Sequence, residues 1–353
     1  MGRIARKLRG RENAADIIFS GDSGRRAGQH MTQLPGLEEL RAAADLIHQV
    51  IPSTPQIRWP LLCERAGIDV WVKHENHTPL GSFKVRGGVL YMAELKRRDP
   101  DAAGVIAATR GNHGQSVAFA ASQVGLRAVI VVPYGNSREK NAAMRGLGAE
   151  LIEHGNDFQS AFEHASVLAG ERHLHFVRSF DLTLARGVAS YALELFGALS
   201  RLDAVYVPVG VGSVICATIA VRNALDAKTE VIGVVAEGAP AYSLSVAARQ
   251  LVPSETVSTI ADGMAVRVPD AAALEIILAH ATRLVVVTDA EIRNAMRHLF
   301  TVTHNVAEAA GAAALAGLLK ERDRMRGRRV AVLLSGANVD RDVFASVLSE
   351  DDE

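Results

Sequence analysis

The chain has 353 residues and equal numbers of acidic and basic side chains, 39 of each, so its formal net charge is zero. That balance offers no electrostatic pull toward nucleic acid or an anionic membrane, and no apolar run reaches the length of a membrane-crossing helix. Only Cys63 and Cys216 are present, far apart, so neither a disulfide framework nor a cysteine zinc cluster is expected, while sparse aromatics beside abundant Ala, Val and Gly suit an α/β enzyme.

Residues 1–30 carry Arg3, Arg6, Lys7, Arg9, Arg11, Arg25 and Arg26 with little apolar periodicity. No hydrophobic block follows them, which argues against a secretory signal, and Glu12, Asp16 and Asp22 argue against a transit peptide. We expect a flexible extension there, a cytoplasmic protein, and a domain that starts near Met31.

From Met31 onward, short β-branched runs alternate with amphipathic stretches. Val70–Lys73 reads as a strand, residues 84–97 as a helix, Val105–Ala108 as a strand and residues 112–124 as a helix. Val129–Val132 is a strand stopped by Pro133, and Ser137 can cap a helix running to Leu147. The alternation continues through strands at Val205–Val207, Val231–Val235, Val285–Val287 and Val330–Leu334. Strands alternating with helices predict an α/β fold of parallel sheets flanked by helices. With no internal repeat and no low-complexity linker, two lobes must arise by the chain crossing between them. We place 31–103 and 183–353 in a large lobe and 104–182 in a small one.

Ligands of open parallel sheets sit beyond the carboxyl ends of the strands. Four small-residue loops hold that position. The first, Gly81-Ser82-Phe83-Lys84-Val85-Arg86-Gly87-Gly88, places one lysine where a loop turns into a helix. A lysine amine condenses with an aldehyde, which is how proteins hold pyridoxal phosphate as a Schiff base. To react it must lose a proton, so it needs a site that lowers its usual pKa of about 10.4. Alone, the motif reads equally well as an ordinary lysine at a helix start.

In the second loop, Thr109-Arg110-Gly111-Asn112-His113-Gly114-Gln115, Asn112 reads as a helix cap or as an amide for a ring hydroxyl, while the loop N–H groups suit a carboxylate. His113 also reads as a satisfied histidine with no proton-transfer duty. The third, Gly210-Val211-Gly212-Ser213, suits a phosphate cradle at a helix N-terminus ahead of a plain turn or an incomplete dinucleotide loop. The fourth is Ser335-Gly336-Ala337-Asn338, where the Ser335 hydroxyl can meet a ring nitrogen or simply serve a turn.

In order and spacing these segments resemble the fold-type II pyridoxal phosphate enzymes, specifically the serine/threonine dehydratase branch, over most of residues 31–340. Ala261-Asp262-Gly263 and Glu308, before Ala309-Ala310-Gly311-Ala312, resemble family segments as well. The resemblance implies two lobes of the tryptophan synthase β type. It implies that Lys84 carries the cofactor and later acts as base on the substrate Cα, that Phe83 flanks the ring and that Asn112 meets its 3-hydroxyl. Gly210, Val211, Gly212 and Ser213 would hold the phosphate and Ser335 the ring nitrogen. Ser82, Thr109, Arg110, Gly111, Asn112 and His113 would bind the amino-acid substrate, with Glu308 supporting the pocket. The implied reaction takes a β-hydroxy-α-amino acid such as threonine, serine or phenylserine to a 2-oxo acid and ammonia. A threo-3-hydroxyaspartate ammonia-lyase, a racemase or β-replacement enzyme, and a non-catalytic regulatory protein are the alternatives. Relatives also imply a homodimer.

Four departures carry information. Arg110 stands where the related serine racemases use a serine as opposite-face base, and an arginine with pKa above ~12 is a poor proton acceptor; we expect it to contact substrate or cofactor, or to form a salt bridge. Val211 and Ser213 interrupt the usual run of glycines but keep the backbone donors. Glu237 and the Ala241 carbonyl match a segment that binds a divalent or monovalent cation in some relatives, whereas Ser243 replaces the second carboxylate that hard cations prefer. Last, the chain ends soon after Asn338, so the regulatory domain of biosynthetic threonine dehydratases is not expected.

Overall fold

The computed structural model describes residues 16–18 and 32–350. In chain order the elements are β1 (Asp16–Ile18), α1 (Leu37–His48), β2 (Gln56–Arg58), α2 (Pro60–Ala66), β3 (Asp69–His74), α3 (Lys84–Arg98), β4 (Val105–Ala108) and α4 (Asn112–Gln123). Then come β5 (Ala128–Val132), α5 (Arg138–Gly146), β6 (Glu150–Glu153), α6 (Phe158–Glu171), β7 (His175–Phe176), α7 (Leu182–Ala198), β8 (Ala204–Pro208) and α8 (Ser213–Ala224). The last are β9 (Glu230–Ala236), α9 (Ala241–Ala248), α10 (Ala271–His280), β10 (Arg283–Val287), α11 (Asp289–Thr303), α12 (Ala309–Lys320), β11 (Arg329–Leu334) and α13 (Arg341–Leu348). Of the first thirty residues only β1 is described, paired antiparallel with β10; the extension expected around it lies outside the described residues.

The β-branched runs become two sheets because each is buried on both faces, which parallel strands require. The larger sheet has seven strands in the order β1-β10-β9-β8-β11-β3-β2. Its inner pairs are parallel, and short antiparallel strands close its two edges. Helices α2, α11, α12 and α13 cover one face and α7, α8, α9 and α10 the other. Helix α12 is almost wholly Ala, Gly and Leu, good helix formers apart from the glycines. Its small side chains let it lie close on the sheet: a Cβ at Gly317 would stand 2.5 Å from Val234.

The smaller sheet is parallel throughout, in the order β6-β5-β4-β7. Its core on one face joins β4 and β5 with α4, α3 and α1, and on the other with α6. Helix α3 lies before residue 103, and its apolar face packs in this small-sheet core.

A buried charge cluster fixes the start of α3. Fully buried Arg86 donates to Glu75 (2.7 and 3.0 Å), to Glu194 on α7 (2.6 and 3.1 Å) and to Ser190 Oγ (3.0 Å). Lys73 on β3 donates to the same Glu194 at 2.5 Å and to the Thr54 carbonyl at 2.7 Å. Two acids thus face two bases. Burial works against the Arg86 charge, but Glu75 and Glu194 outweigh it and raise its pKa. Removing one member of such a cluster leaves uncompensated charge, typically at a cost of about 3–5 kcal/mol. Arg86→Met is therefore expected to lower the unfolding free energy from urea denaturation by an amount in that range; a free energy within error of the parent would show that the cluster does not hold α3.

Candidate active site

The four strand-end loops meet in a cleft of about 690 Å³ lined by Lys84, Asn112, Gly210 and Ser335 among others. Lys84 is the first residue of α3, because Ser82 and Phe83 turn the chain immediately before it. The Ser335 carbonyl accepts from the Phe83 N–H (3.1 Å), the Gly81 carbonyl accepts from the Ala337 N–H (2.9 Å), and Ser82 bridges Gly336. The lysine loop is thus sewn to the last strand-end loop by main-chain bonds. The Lys84 amine stands 5.1 Å from the Phe83 ring centroid. Although Lys84 faces the cleft, burial of its amine lowers the pKa from the ordinary 10.5 to about 8, against an opposing pull from Glu308.

Ser82 does not reach the cleft. It is buried, its N–H donates to Thr78 Oγ1 (2.9 Å), and its hydroxyl accepts from the Lys84 N–H (3.3 Å). Its hydroxyl serves the first turn of α3, and it is not among the residues that line the cleft.

At the second loop, Thr109 Oγ1 accepts from the N–H groups of Gly111 (3.0 Å) and Gly114 (3.3 Å), which curls the chain over the end of β4. Asn112 and His113 open α4, so their N–H groups have no acceptor within the helix and suit an anion. The Asn112 amide is held at both ends: Nδ2 donates to Glu308 (2.6 Å), and Oδ1 accepts from Asn338 (2.8 Å). One amide hydrogen remains for a ligand. His113 is buried, and burial together with the Lys84 charge drives its pKa to about 3, so it is neutral. Its Nε2 has no partner.

The third loop is cut to fit an anion. Gly212 has φ +106, in the left-handed region that favours glycine, and a Cβ at Gly210 would meet the Gly263 carbonyl at 2.0 Å. Ser213, the first residue of α8, is buried with an unpartnered Oγ. A bare hydroxyl beside a helix N-terminus suits a phosphate oxygen. Ser335 Oγ makes only a long bond, 3.4 Å, to the Ala310 carbonyl. This donor set fits pyridoxal phosphate: an amine of lowered pKa, an unsatisfied hydroxyl at an anion cradle, and a weakly engaged serine.

Glu308 sits at the cap of α12 and accepts from Asn112 on one oxygen while Lys140 approaches the other at 3.3 Å. A Cβ at Gly336 would lie 2.5 Å from that carboxylate, which is why glycine stands there. Lys140, from α5, passes against Gly111, where a Cβ would come within 2.4 Å of its chain. Burial pulls its pKa down, but Glu308 and Asp262 outweigh that and raise it. Arg110 lines the cleft with its Nε 3.8 Å from Asp262. Reading by motif missed the roles of Lys140, Asp262 and Asn338. Lys140 lies within the helix that Ser137 caps, and nothing in its spacing tells of an acid 168 positions later. Glu237 and Ala241 are outside this cleft: Glu237 is exposed, Ala241 opens α9, and Ser243 Oγ donates to the Pro240 carbonyl (2.8 Å). Among the described residues no group of three or more His, Cys, Asp or Glu side chains is placed to hold a metal, and no helix is long and apolar enough to cross a membrane.

The family model described as "Pyridoxal-phosphate dependent enzyme" matches residues 47–336. The chain is 32% identical over 315 residues to an L-threonine ammonia-lyase of Thermotoga maritima, covering 89% of this chain and 78% of that one. It is 33% identical to a biosynthetic L-threonine dehydratase of Pasteurella multocida, covering 88% of this chain but only 61% of the relative. The processed form of threonine deaminase isoform 2 from Solanum lycopersicum superposes with a TM-score of 0.83 at 27% identity, covering 95% of this chain and all (100%) of that one.

Two outcomes test the cleft. Gly210→Ala, which drives a methyl group into the Gly263 carbonyl, is expected to weaken pyridoxal phosphate binding by at least ~10-fold in equilibrium dialysis; unchanged affinity would remove the cradle. Acetic anhydride labelling of Lys84 in cofactor-free protein should rise with pH through a midpoint near pH 8. Glu308→Gln should move that midpoint lower, because the carboxylate favours the charged amine; an upward or absent shift would contradict the stated coupling.

Proposed function

The chain belongs to the pyridoxal-phosphate dependent enzymes, and from that premise we propose that it removes the β-hydroxyl and α-amino groups of a β-hydroxy-α-amino acid, giving a 2-oxo acid and ammonia. One water leaves at Cβ and one is taken up at Cα, so substrate equals products in composition. Bound pyridoxal phosphate supplies the electron sink that makes an amino-acid Cα–H acidic.

The residues divide the remaining work. Lys84, flanked by Phe83, would hold the aldehyde end, Gly210–Ser213 the phosphate, Asn112 the ring hydroxyl and Ser335 the ring nitrogen. Serine is a neutral partner for that nitrogen and cannot keep it protonated as a carboxylate would, which suits expulsion of a β-leaving group. The N–H groups of Asn112 and His113, shaped by Thr109, would take the substrate carboxylate. Once free, Lys84 Nζ takes the Cα proton. A base with pKa near 8 gives up little proton affinity yet is partly neutral at pH 7. Glu308 supports the pocket by orienting Asn112.

The observation that carries this reading is the Lys84 amine, held at lowered pKa beside an anion cradle with an unsatisfied Ser213 hydroxyl. Racemisation is disfavoured, because Arg110 faces Asp262 and offers no base on the opposite side. A β-carboxylate substrate would find Arg110 already met by Asp262, which counts against hydroxyaspartate. The homodimer, the cytoplasmic location and the lobe division near residues 103 and 183 are part of this proposal.

The protein loaded with pyridoxal phosphate should release stoichiometric 2-oxo acid and ammonia from β-hydroxy amino acids without an added thiol. Lys84→Ala should lower kcat by about 10³-fold or more. Turnover retained in Lys84→Ala, or loss of optical activity in substrate without keto acid, would overturn the elimination reading.

A further inference from the structure

The chain has ten phenylalanines, and four of them, Phe83, Phe158, Phe162 and Phe180, line this one cleft. Phe83 belongs to the cofactor end. Phe180 lies at the cradle, 3.7 Å from where a Cβ on Gly212 would stand, while Phe158 and Phe162 form an apolar patch on the small-sheet side. Phe158 and Phe162 lie four residues apart at the start of α6, so one face of the helix presents both. Their ring centroids are 6.2 Å apart, and Phe162 is braced edge-on by Phe176 at 5.1 Å. Both are partly exposed, whereas Phe180 is buried. Val257 and Val266, from the segment between α9 and α10, also line the cleft and are partly exposed.

Apolar rings and methyl groups lining an open cleft stay wetted unless a ligand covers them. Of the charged groups that share the cleft, Arg110 and Lys140 face Asp262 and Glu308, Arg178 reaches Asp270 at 3.4 Å, and Arg267 donates to the Ser254 carbonyl at 3.4 Å. A hydroxymethyl or hydroxyethyl side chain has too little apolar surface to cover such rings, whereas a phenyl ring has enough. Resting on the elimination reading above, we propose that this cleft selects β-hydroxy-α-amino acids bearing a large apolar substituent, of the size of a phenyl ring, over threonine and serine. Phe158 and Phe162 are its specificity-determining residues.

The test uses the protein loaded with pyridoxal phosphate. Two ratios are measured: kcat/KM for threo-β-phenylserine against threonine, from the released phenylpyruvate and 2-oxobutanoate, and the calorimetric Kd of L-alanine against L-phenylalanine, which lack the leaving group. Both are expected to favour the aromatic ligand by ~10-fold or more. Phe162→Ala should collapse both ratios, and Phe158→Leu, a milder change, should reduce them; each ratio is independent of the fraction of folded protein. Preference for threonine or serine, with L-alanine bound as tightly as L-phenylalanine, overturns the inference and leaves the elimination reading standing. Tighter L-phenylalanine binding with no keto acid from any β-hydroxy amino acid overturns the elimination reading and keeps the apolar subsite. Ratios unmoved in both variants mean that the rings do not meet the ligand, and that also overturns the inference.

Discussion

The position of one amine depends on a charge cluster two residues away from it. Arg86 is buried among Glu75, Glu194, Ser190 and Thr54, and Lys73 shares Glu194 with it. The cluster draws on β3, α3 and α7, so it ties the strand before the lysine loop to the helix after it. Replacing such a cluster by apolar side chains often costs nothing in stability. What hydrophobic packing would not supply is direction: each carboxylate oxygen is claimed by a named donor, which fixes the rotation of α3 about its axis. Lys84 therefore leaves the helix toward the cleft, with its amine removed from water.

Glycines then bring the other loops within reach of that amine. A Cβ at Gly311 would meet the Gly336 carbonyl at 2.1 Å, one at Gly336 the Glu308 carboxylate, and one at Gly210 the Gly263 carbonyl. These are contacts between strand-end loops and helix starts from distant parts of the chain, and they are closer than any side chain allows. The parallel topology supplies convergence, because every strand that feeds the cleft ends on the same edge of its sheet. The absent side chains convert convergence into contact.

Much of this was legible in the sequence for a physical reason. Strands buried on both faces are unbroken β-branched runs, and turns that need special backbone are written in glycine, so β3, β4, β8 and β11 and their loops could be read directly. Edge strands β1 and β2 carry no such run and escaped notice. The packing of α3 on the small sheet was also hidden, since an apolar face does not say which core receives it. Within the site, residue types announced the lysine, the cradle and Ser335, but not the partners. The Ser82 hydroxyl accepts from the Lys84 N–H, a contact its residue type does not announce. The Asn112 amide looked free for a ring and is held by Glu308 and Asn338. Partnerships across 196 and 226 positions are set by the fold alone.

Those long-range partners also set the chemistry of the lysine. Burial favours the neutral amine, and Glu308 favours the charged one. Glu308 acts at reduced strength because Lys140 and the Asn112 amide already occupy its two oxygens. Without Lys140, the acid would hold the Lys84 proton more firmly and leave less of the amine neutral; without Glu308, burial alone would act and the amine would have less affinity for the proton it must take from Cα. The three groups come from α3, α5 and the cap of α12. A small displacement of α5 relative to α12 changes the Lys140–Glu308 separation before it changes any covalent chemistry. The basicity of Lys84 is in that sense tied to the packing of distant elements, and Arg110 and Lys140 both approach Asp262, at 3.8 Å, beside the same cleft.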